Sequence, residues 1–338
     1  VIRPTDLLRP EPAGLYCPPG DFWIDPVRPV DRAVITHGHA DHARAGHGAV
    51  LATPETLAIM AVRYGADFAG RTQPAAYGEA TVMSGVRLTL APAGHILGAA
   101  QACLSWRGLT MVVSGDYKRR ADPTCAPFEP QRCHVFISEA TFALPVFRHP
   151  DDRGEIARLL ASVAQFPDRT HLVGAYALGK AQRIIALLRE AGYAEPIFLH
   201  GAMEKLCALY EASGVALGPL KPATNAVRSA RRDFAGAIVI APPSACRDPW
   251  ARRFADPLDC FASGWMRIRQ RARQRGVELP LIISDHADWD ELTATALEIR
   301  PEELWITHGR DDALARWAQL NTLVAKPLSL AGYDDEGE

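Results

Sequence analysis

The sequence predicts an α/β chain in two parts, a strand-built scaffold carrying a cluster of ionisable residues and a second α/β unit inserted into it. Three observations predict this. Short apolar runs rich in β-branched residues recur, and each is closed by a His, Asp or Glu. The closing residues stop at Glu139 and resume at His286. Between them, strand-like runs (170–175, 196–200, 237–241, 258–263) alternate with helical ones (154–165, 179–191, 202–213, 226–234), the pattern of a separate α/β unit.

The scaffold elements follow in chain order. Phe22-Trp23-Ile24 is a short strand closed by Asp25. Arg32-Ala33-Val34-Ile35-Thr36 is a buried strand, and His37-Gly38-His39-Ala40-Asp41-His42 forms the loop where it ends. Val86-Arg87-Leu88-Thr89-Leu90 alternates as a half-buried strand and leads to His95. Thr110-Met111-Val112-Val113 leads to Asp116, and Val135-Phe136-Ile137-Ser138 to Glu139. After the insertion, Leu281-Ile282-Ile283 precedes His286 and Leu304-Trp305-Ile306-Thr307 precedes His308. Ionisable residues just past strand ends are where sheet scaffolds hold their chemistry.

The pattern H-x-H-x-D-H at residues 37–42 is the sharpest signal. Imidazoles and a carboxylate together suit zinc, manganese or iron(II). The i, i+2 histidines point the same way from an extended turn, and the following Asp-His pair can reach a second ion.

Composition sets the outer bounds. The 338 residues can hold two domains with a large core. No apolar run reaches the length of a membrane span, and Val1-Ile2-Arg3-Pro4 has no signal-peptide pattern. Seven scattered cysteines without C-x-x-C suggest reduced thiols in a cytoplasmic protein. The end, 334–338, reads as a solvated tail.

Charge is unevenly spread. Residues 221–280 hold twelve Lys/Arg against five Asp/Glu, whereas 286–338 hold four against twelve. Arg occupies every second position from Arg267 to Arg275. On a strand this would line one face with charge, and on a helix it would spread the charge around; either could track a phosphate backbone. Lys118-Arg119-Arg120 directly follows Asp116 and is a second candidate for phosphate. Tyr117 and Trp265 are candidates for stacking on bases, with core packing the better account of Trp265. Gly174 to Lys180 matches G-x-x-x-x-G-K, but Ala181 replaces the hydroxyl residue that would hold magnesium, so a strand-to-helix turn with Lys180 toward a substrate cleft is the better reading.

With its later His and Asp residues, the H-x-H-x-D-H pattern resembles the metallo-β-lactamase fold. Glu139, His286 and His308, set around an inserted α/β unit, resemble the β-CASP nucleases within it. The resemblance covers essentially the whole chain. Leu15-Tyr16-Cys17-Pro18, Gly20-Asp21-Phe22, Asp25-Pro26, the turn from Ala175 to Gln182, Ala262-Ser263-Gly264-Trp265-Met266 and Ser284-Asp285-His286-Ala287-Asp288-Trp289 are most similar to bacterial ligase-associated DNA exonucleases.

That resemblance implies an αββα sandwich formed by residues 1–145 and 279–338, with a β-CASP domain over 146–278. It implies two divalent ions, zinc first and manganese as the alternative. His37, His39 and His95 would hold one, Asp41, His42 and His308 the other, with Asp116 bridging. Asp25 would orient the ligand loop, and Glu139 would orient His286, which stabilises or protonates the leaving 3′ oxygen. Lys118, Arg119, Arg120, Lys180, Ser263, Arg267 and Arg269 are the expected nucleic-acid contacts. The implied activity is exonucleolytic hydrolysis of single-stranded DNA ends, from the 5′ end, in repair alongside an ATP-dependent DNA ligase and a helicase. RNA processing by a β-CASP ribonuclease is the alternative, because several eukaryotic DNA-cleaving members lack a His at the position of His308. A metallohydrolase of small esters or thioesters is a third reading, which the basic insertion disfavours.

Overall fold

The computed structural model describes residues 2–223, 234–254, 256–309 and 311–330. All but the last residue of the helical run expected over 226–234 falls outside them, as does the tail 334–338. The chain divides into two compact units, one from residues up to Phe147 together with those from His286 onward, the other spanning Arg148–Asp285.

The first unit is a sandwich of two sheets. Its N-terminal sheet has the order β1 (Arg9–Glu11), β2 (Gly14–Cys17), β3 (Phe22–Ile24), β4 (Arg32–Val34), β5 (Ala49–Ala52), β6 (Thr72–Pro74). The second sheet contains β7 (Ala80–Met83), β8 (Val86–Pro92), β9 (Ala100–Trp106), β10 (Leu109–Val113), β11 (Val135–Ala140), β18 (Glu303–Gly309) and β19 (Val324–Pro327), in the order β19-β18-β11-β10-β9-β8-β7. Alternation explains how the two faces meet. Leu15, Cys17, Phe22 and Ile24 from one sheet pack with Val86, Leu88, Leu90, Ala102, Leu104, Met111, Val113 and Ile137 from the other. Each large side chain fully buried there contributes about 1.5–3 kcal/mol.

Helices cover the outer faces. α2 (Pro54–Tyr64) starts at Thr53, whose side chain accepts from Thr56 N, and buries Met60 with Ala33, Ile35 and Val50 behind the first sheet. On the second sheet, α8 (Asp311–Leu320) packs against β18 and β19, with α7 (Trp289–Ile299) beside it. An acid-rich first turn and a capping box between Asp288 and Glu291 fix the start of α7.

The second unit has a six-stranded, wholly parallel sheet in the order β14 (Leu220–Pro222), β13 (Ile197–Leu199), β15 (Ile238–Ala241), β12 (His171–Gly174), β16 (Leu258–Ala262), β17 (Leu279–Leu281). Central strands β12 and β15 are buried at every residue, as strands covered on both faces are. Helices α3 (Asp152–Gln165), α4 (Lys180–Glu190), α5 (Gly201–Ala212) and α6 (Arg269–Arg275) belong to this unit. Because β17 pairs with β16, the unit runs to Asp285, and the expected boundary at 278 falls seven residues short. No helix of the described residues is long and apolar enough to cross a membrane, and the seven cysteines are thiols.

Candidate metal centre

The loop that carries residues 37–42 is held from three sides. Thr36 O accepts from Ala100 N at 2.8 Å, Gly38 O accepts from Arg63 of α2 at 2.5 Å, and Ala43 N closes a turn onto His39 O at 2.7 Å. Beneath it lies Asp25, only 3% exposed. The Asp25 carboxylate accepts from Thr36 N at 2.7 Å and Thr36 Oγ1 at 2.5 Å, and Oδ2 lies 2.8 Å from His42 Nδ1. A carboxylate on Nδ1 fixes the ring and leaves Nε2 to face the centre.

Asp116 is the hub. Its oxygens lie 3.3 Å from His37 Nε2, 3.5 Å from His42 Nε2 and 3.7 Å from His95 Nε2. His39 Nδ1 lies 3.0 Å from His95 Nε2. One donor atom from each of His37, His39, His95 and Asp116 falls within 4.8 Å of the others, and so does one from each of Asp41, His42 and Asp116. His308 is not in either tight group; its ring stacks on that of His42, with centroids 5.2 Å apart.

A register shift between β11 and β18 brings in the remaining residues. Ser138 pairs with Ile306 but Ala140 with Gly309, so Glu139 sits at a bulge opposite Thr307 and His308. His308 has a φ of 56°, and Gly309 has a φ of 101°. A Cβ on Gly309 would lie 2.3 Å from Ala140 O, so this close crossing requires glycine. Glu139, fully buried, accepts from Tyr117 N at 2.8 Å and Thr141 Oγ1 at 2.6 Å, with Oε2 2.9 Å from His286 Nδ1. The His286 ring is 4.8 Å from that of His95.

Electrostatics suit cation binding. Burial would raise the Asp116 carboxyl, but His42, His286 and His37 outweigh it and hold it well below the usual carboxylate range. Asp41 is likewise lowered, burial being outweighed chiefly by His42. For His42, burial opposes protonation, yet Asp116, Asp41 and Asp25 push it up to about 10. Burial holds His95 well below its ordinary value, with His37, His39 and His286 adding to the depression. Burial, then the charge on His42, brings His308 down to about 4. His37 Nε2 is buried without a hydrogen bond among the described residues. A nitrogen lone pair, ionised carboxylates and neutral imidazoles at these separations fit divalent cations.

The expected nucleic-acid contacts fare differently. Tyr117 is fully buried against Phe128, which corrects its reading as a base-stacking residue. Lys118 is also buried. Arg119 pairs with Glu298 at 2.7 Å, and Arg120 with Asp288 at 2.5 Å and Glu291 at 3.5 Å. These arginines pair with acidic residues of α7 and its cap. Lys180 is buried beside Asp285 at 3.3 Å, Arg183 meets the same carboxylate at 2.8 Å, and Ser263 Oγ accepts from Trp265 N. Lys180 and Ser263 therefore serve the inserted unit's interior. Arg267 and Arg269 are exposed. The alternating arginines fold as a short helical turn, Gly264–Arg267, followed by α6, which spreads their charge. Trp265 is half-buried under Arg271, whose Cζ is 4.0 Å from its ring centroid.

Sequence reasoning missed Thr36, Thr141 and Arg183. The first two are small hydroxyl residues that donate to Asp25 and Glu139, a pairing with only a weak signal in the sequence. Arg183 follows Lys180 and Gln182 at the start of α4, so nothing in its sequence setting marked it as buried.

Residues 21–170 match the metallo-β-lactamase superfamily. Residues 21–170 thus carry a metallo-β-lactamase domain. A probable DNA ligase of Opitutus terrae is 29% identical to it over 323 residues, covering 90% of this chain and 30% of the ligase. The endoribonuclease ysh1 of Aspergillus fumigatus is 29% identical over 187 residues, 52% of this chain and 21% of that protein. Cleavage and polyadenylation specificity factor subunit 3 of Dictyostelium discoideum is 30% identical over 141 residues, 39% of this chain and 18% of that protein. The chain thus spans less than a third of the length of each of these relatives. A crystal structure of a protein of unknown function from Enterococcus faecalis V583 shares the fold, with a TM-score of 0.57, 12% identity, and coverage of 90% of this chain and 80% of that one.

Proposed function

We propose that this metallo-β-lactamase protein is a metal-dependent nuclease that trims single-stranded DNA ends, from the 5′ end, in a repair reaction completed by a DNA ligase. The observation that carries the nuclease reading is the convergence on Asp116 of two His/Asp donor groups, with the Glu139–His286 pair at their side. Similarity over 90% of the chain to part of a probable DNA ligase supports DNA as substrate. The similarity to proteins named endoribonucleases favours a second reading, RNA cleavage at the same centre.

In this reading His37, His39 and His95 hold one divalent cation, Asp41, His42 and His308 a second, and Asp116 serves both. Bound cations would supply an activated water and neutralise charge on the phosphoryl oxygens. The protein residues do the rest. Asp25 fixes the His42 ring, and Thr36 fixes Asp25. Glu139, itself fixed by Tyr117 N and Thr141, holds His286 Nδ1 so that Nε2 is presented to the leaving oxygen. Exposed Arg267 and Arg269 offer contacts to the strand's phosphates.

The deciding experiment digests matched DNA and RNA single strands, labelled at either end, with metal-reconstituted protein. Early release of 5′-terminal nucleotides from DNA, with RNA cut at least tenfold more slowly, is expected. Faster internal cleavage of RNA would replace the DNA reading with the second one.

A further inference from the structure

The inserted unit has a concave site of its own, a cavity of about 220 Å³ on one face of its sheet. Its walls follow from the strand period. Asp259 and Phe261, two apart on β16, share a face, while Cys260 between them is buried on the other. The turn Ala245–Arg247 after β15 brings Arg247 to the rim, and the end of α6 brings Arg275. Arg247 Nη2 donates to Arg275 O at 3.0 Å, so a cation caps the carbonyl end of α6. The Arg275 guanidinium lies 4.7 Å from the centroid of Phe261.

Three chemical features therefore meet in one small space. Arg247 and Arg275 make no ion pair within 4 Å among the described residues. Arg275 sets a guanidinium against the Phe261 ring, and planar guanidiniums stack on bases as well as on aromatic rings. Asp259 contributes the one carboxylate, and burial raises it to about 6 despite Arg247, so at neutral pH it is mostly an acceptor. The volume is below the roughly 300–1,000 Å³ of pockets for drug-sized ligands, which excludes a whole dinucleotide cofactor. Arg271, one helical turn before Arg275, continues the positive surface on the same side of α6, and Arg269 and Arg273 add positive charge on its other side, again without an ion pair among the described residues, which suits a polyanion more than a small metabolite.

We propose that this cavity is a nucleotide subsite that holds one residue of a single strand, its phosphate on Arg247 and its base between the Arg275–Phe261 stack and Asp259. A carboxylate acceptor beside the base favours one with an exocyclic amine, such as cytosine, over thymine, which has none. The subsite rests on the nuclease reading only for its strand, not for any step of hydrolysis.

The test uses full-length protein in EDTA, so that nothing is cut, and measures fluorescence anisotropy with short dC and dT homopolymers across a salt series. The wild type binds dC more tightly. Arg247→Ala weakens both strands about tenfold and lowers the salt slope by about one. Asp259→Asn leaves dT unchanged and removes the dC preference, a loss of about tenfold. Free dCMP competes only at much higher concentration than the dC strand. Unchanged affinity and slope in Arg247→Ala, or an unchanged dC/dT ratio in Asp259→Asn, overturns the subsite. A dCMP that competes as well as the strand overturns it too, in favour of a free-nucleotide pocket. If reconstituted protein leaves phosphodiesters intact while these shifts appear, the nuclease reading fails and the subsite stands; if it cuts and the shifts are absent, the subsite fails alone.

Discussion

Nδ1 of His286 lies 2.9 Å from Oε2 of Glu139, although the two are 147 positions apart in the chain. The carboxylate is fully buried and has its own donors, so it presents a fixed orientation to the imidazole. Glu139→Gln keeps the shape but reverses one partner of His286. We expect kcat to fall about 10–100-fold with KM little changed, and the pH profile of kcat to shift. Steady-state kinetics across pH checks this; an unaltered profile would separate Glu139 from the reaction.

Asp25 is a structural counterpart beneath the ligand loop. Asp25→Ala deprives Thr36 N, Thr36 Oγ1 and His42 Nδ1 of one acceptor. Loss of hydrogen bonds to a buried charged group costs about 2–4 kcal/mol in total. Urea denaturation of the metal-free protein should show a lower midpoint, and metal affinity should fall as His42 loses its fixed ring. Wild-type values for both would show that Asp25 orients nothing.

The bulge beside Glu139 depends on Gly309. With a φ of 101° and Ala140 O 2.3 Å from an added Cβ, Gly309→Ala should destabilise by about 1–3 kcal/mol and disturb neighbouring His308. Chemical denaturation measures the first effect and metal titration the second.

Asp259 gives a pH dependence with a definite sign. Burial raises its folded value to about 6, with Glu278 adding to the rise and Arg247 opposing it. The unfolded chain therefore loses this proton at lower pH than the folded one. Stability is unpenalised below the ordinary value of 3.8, falls as pH rises through about 6, and stays reduced above it. Asp259→Asn should match the wild type at pH 4 and melt about 2 °C higher at pH 8, the small size reflecting partial solvent screening. A difference of the opposite sign would reverse the reading of this site.

Much of the His/Asp cluster was legible because its members follow strand-like runs. Asp25, Asp116 and Glu139 each close an apolar run, and periodicity identifies such runs without any knowledge of pairing. What pairing decides was hidden. The bulge that turns Glu139 and His308 toward the centre exists only between β11 and β18, strands separated by the whole insertion. The fate of Lys118-Arg119-Arg120 was equally invisible, since Asp288, Glu291 and Glu298 lie far along the chain. A basic cluster next to candidate ligands looks like a phosphate site until its acids are found. The placement of Leu279–Leu281 was hidden for the same reason: the segment is apolar enough for either unit, and its pairing with β16 sets it in the second unit's sheet.

The most direct test measures bound metal and hydrolysis together, in the wild type and in Asp116→Ala and His39→Ala. The wild type should carry close to two equivalents of zinc or manganese by elemental analysis and hydrolyse single-stranded DNA. Both variants should fold, bind less metal and lose at least a hundredfold in rate, consistent with the loss of a metal ligand. Undiminished hydrolysis by either variant, with circular dichroism unchanged and no transition metal bound, would contradict a cation-binding centre at Asp116.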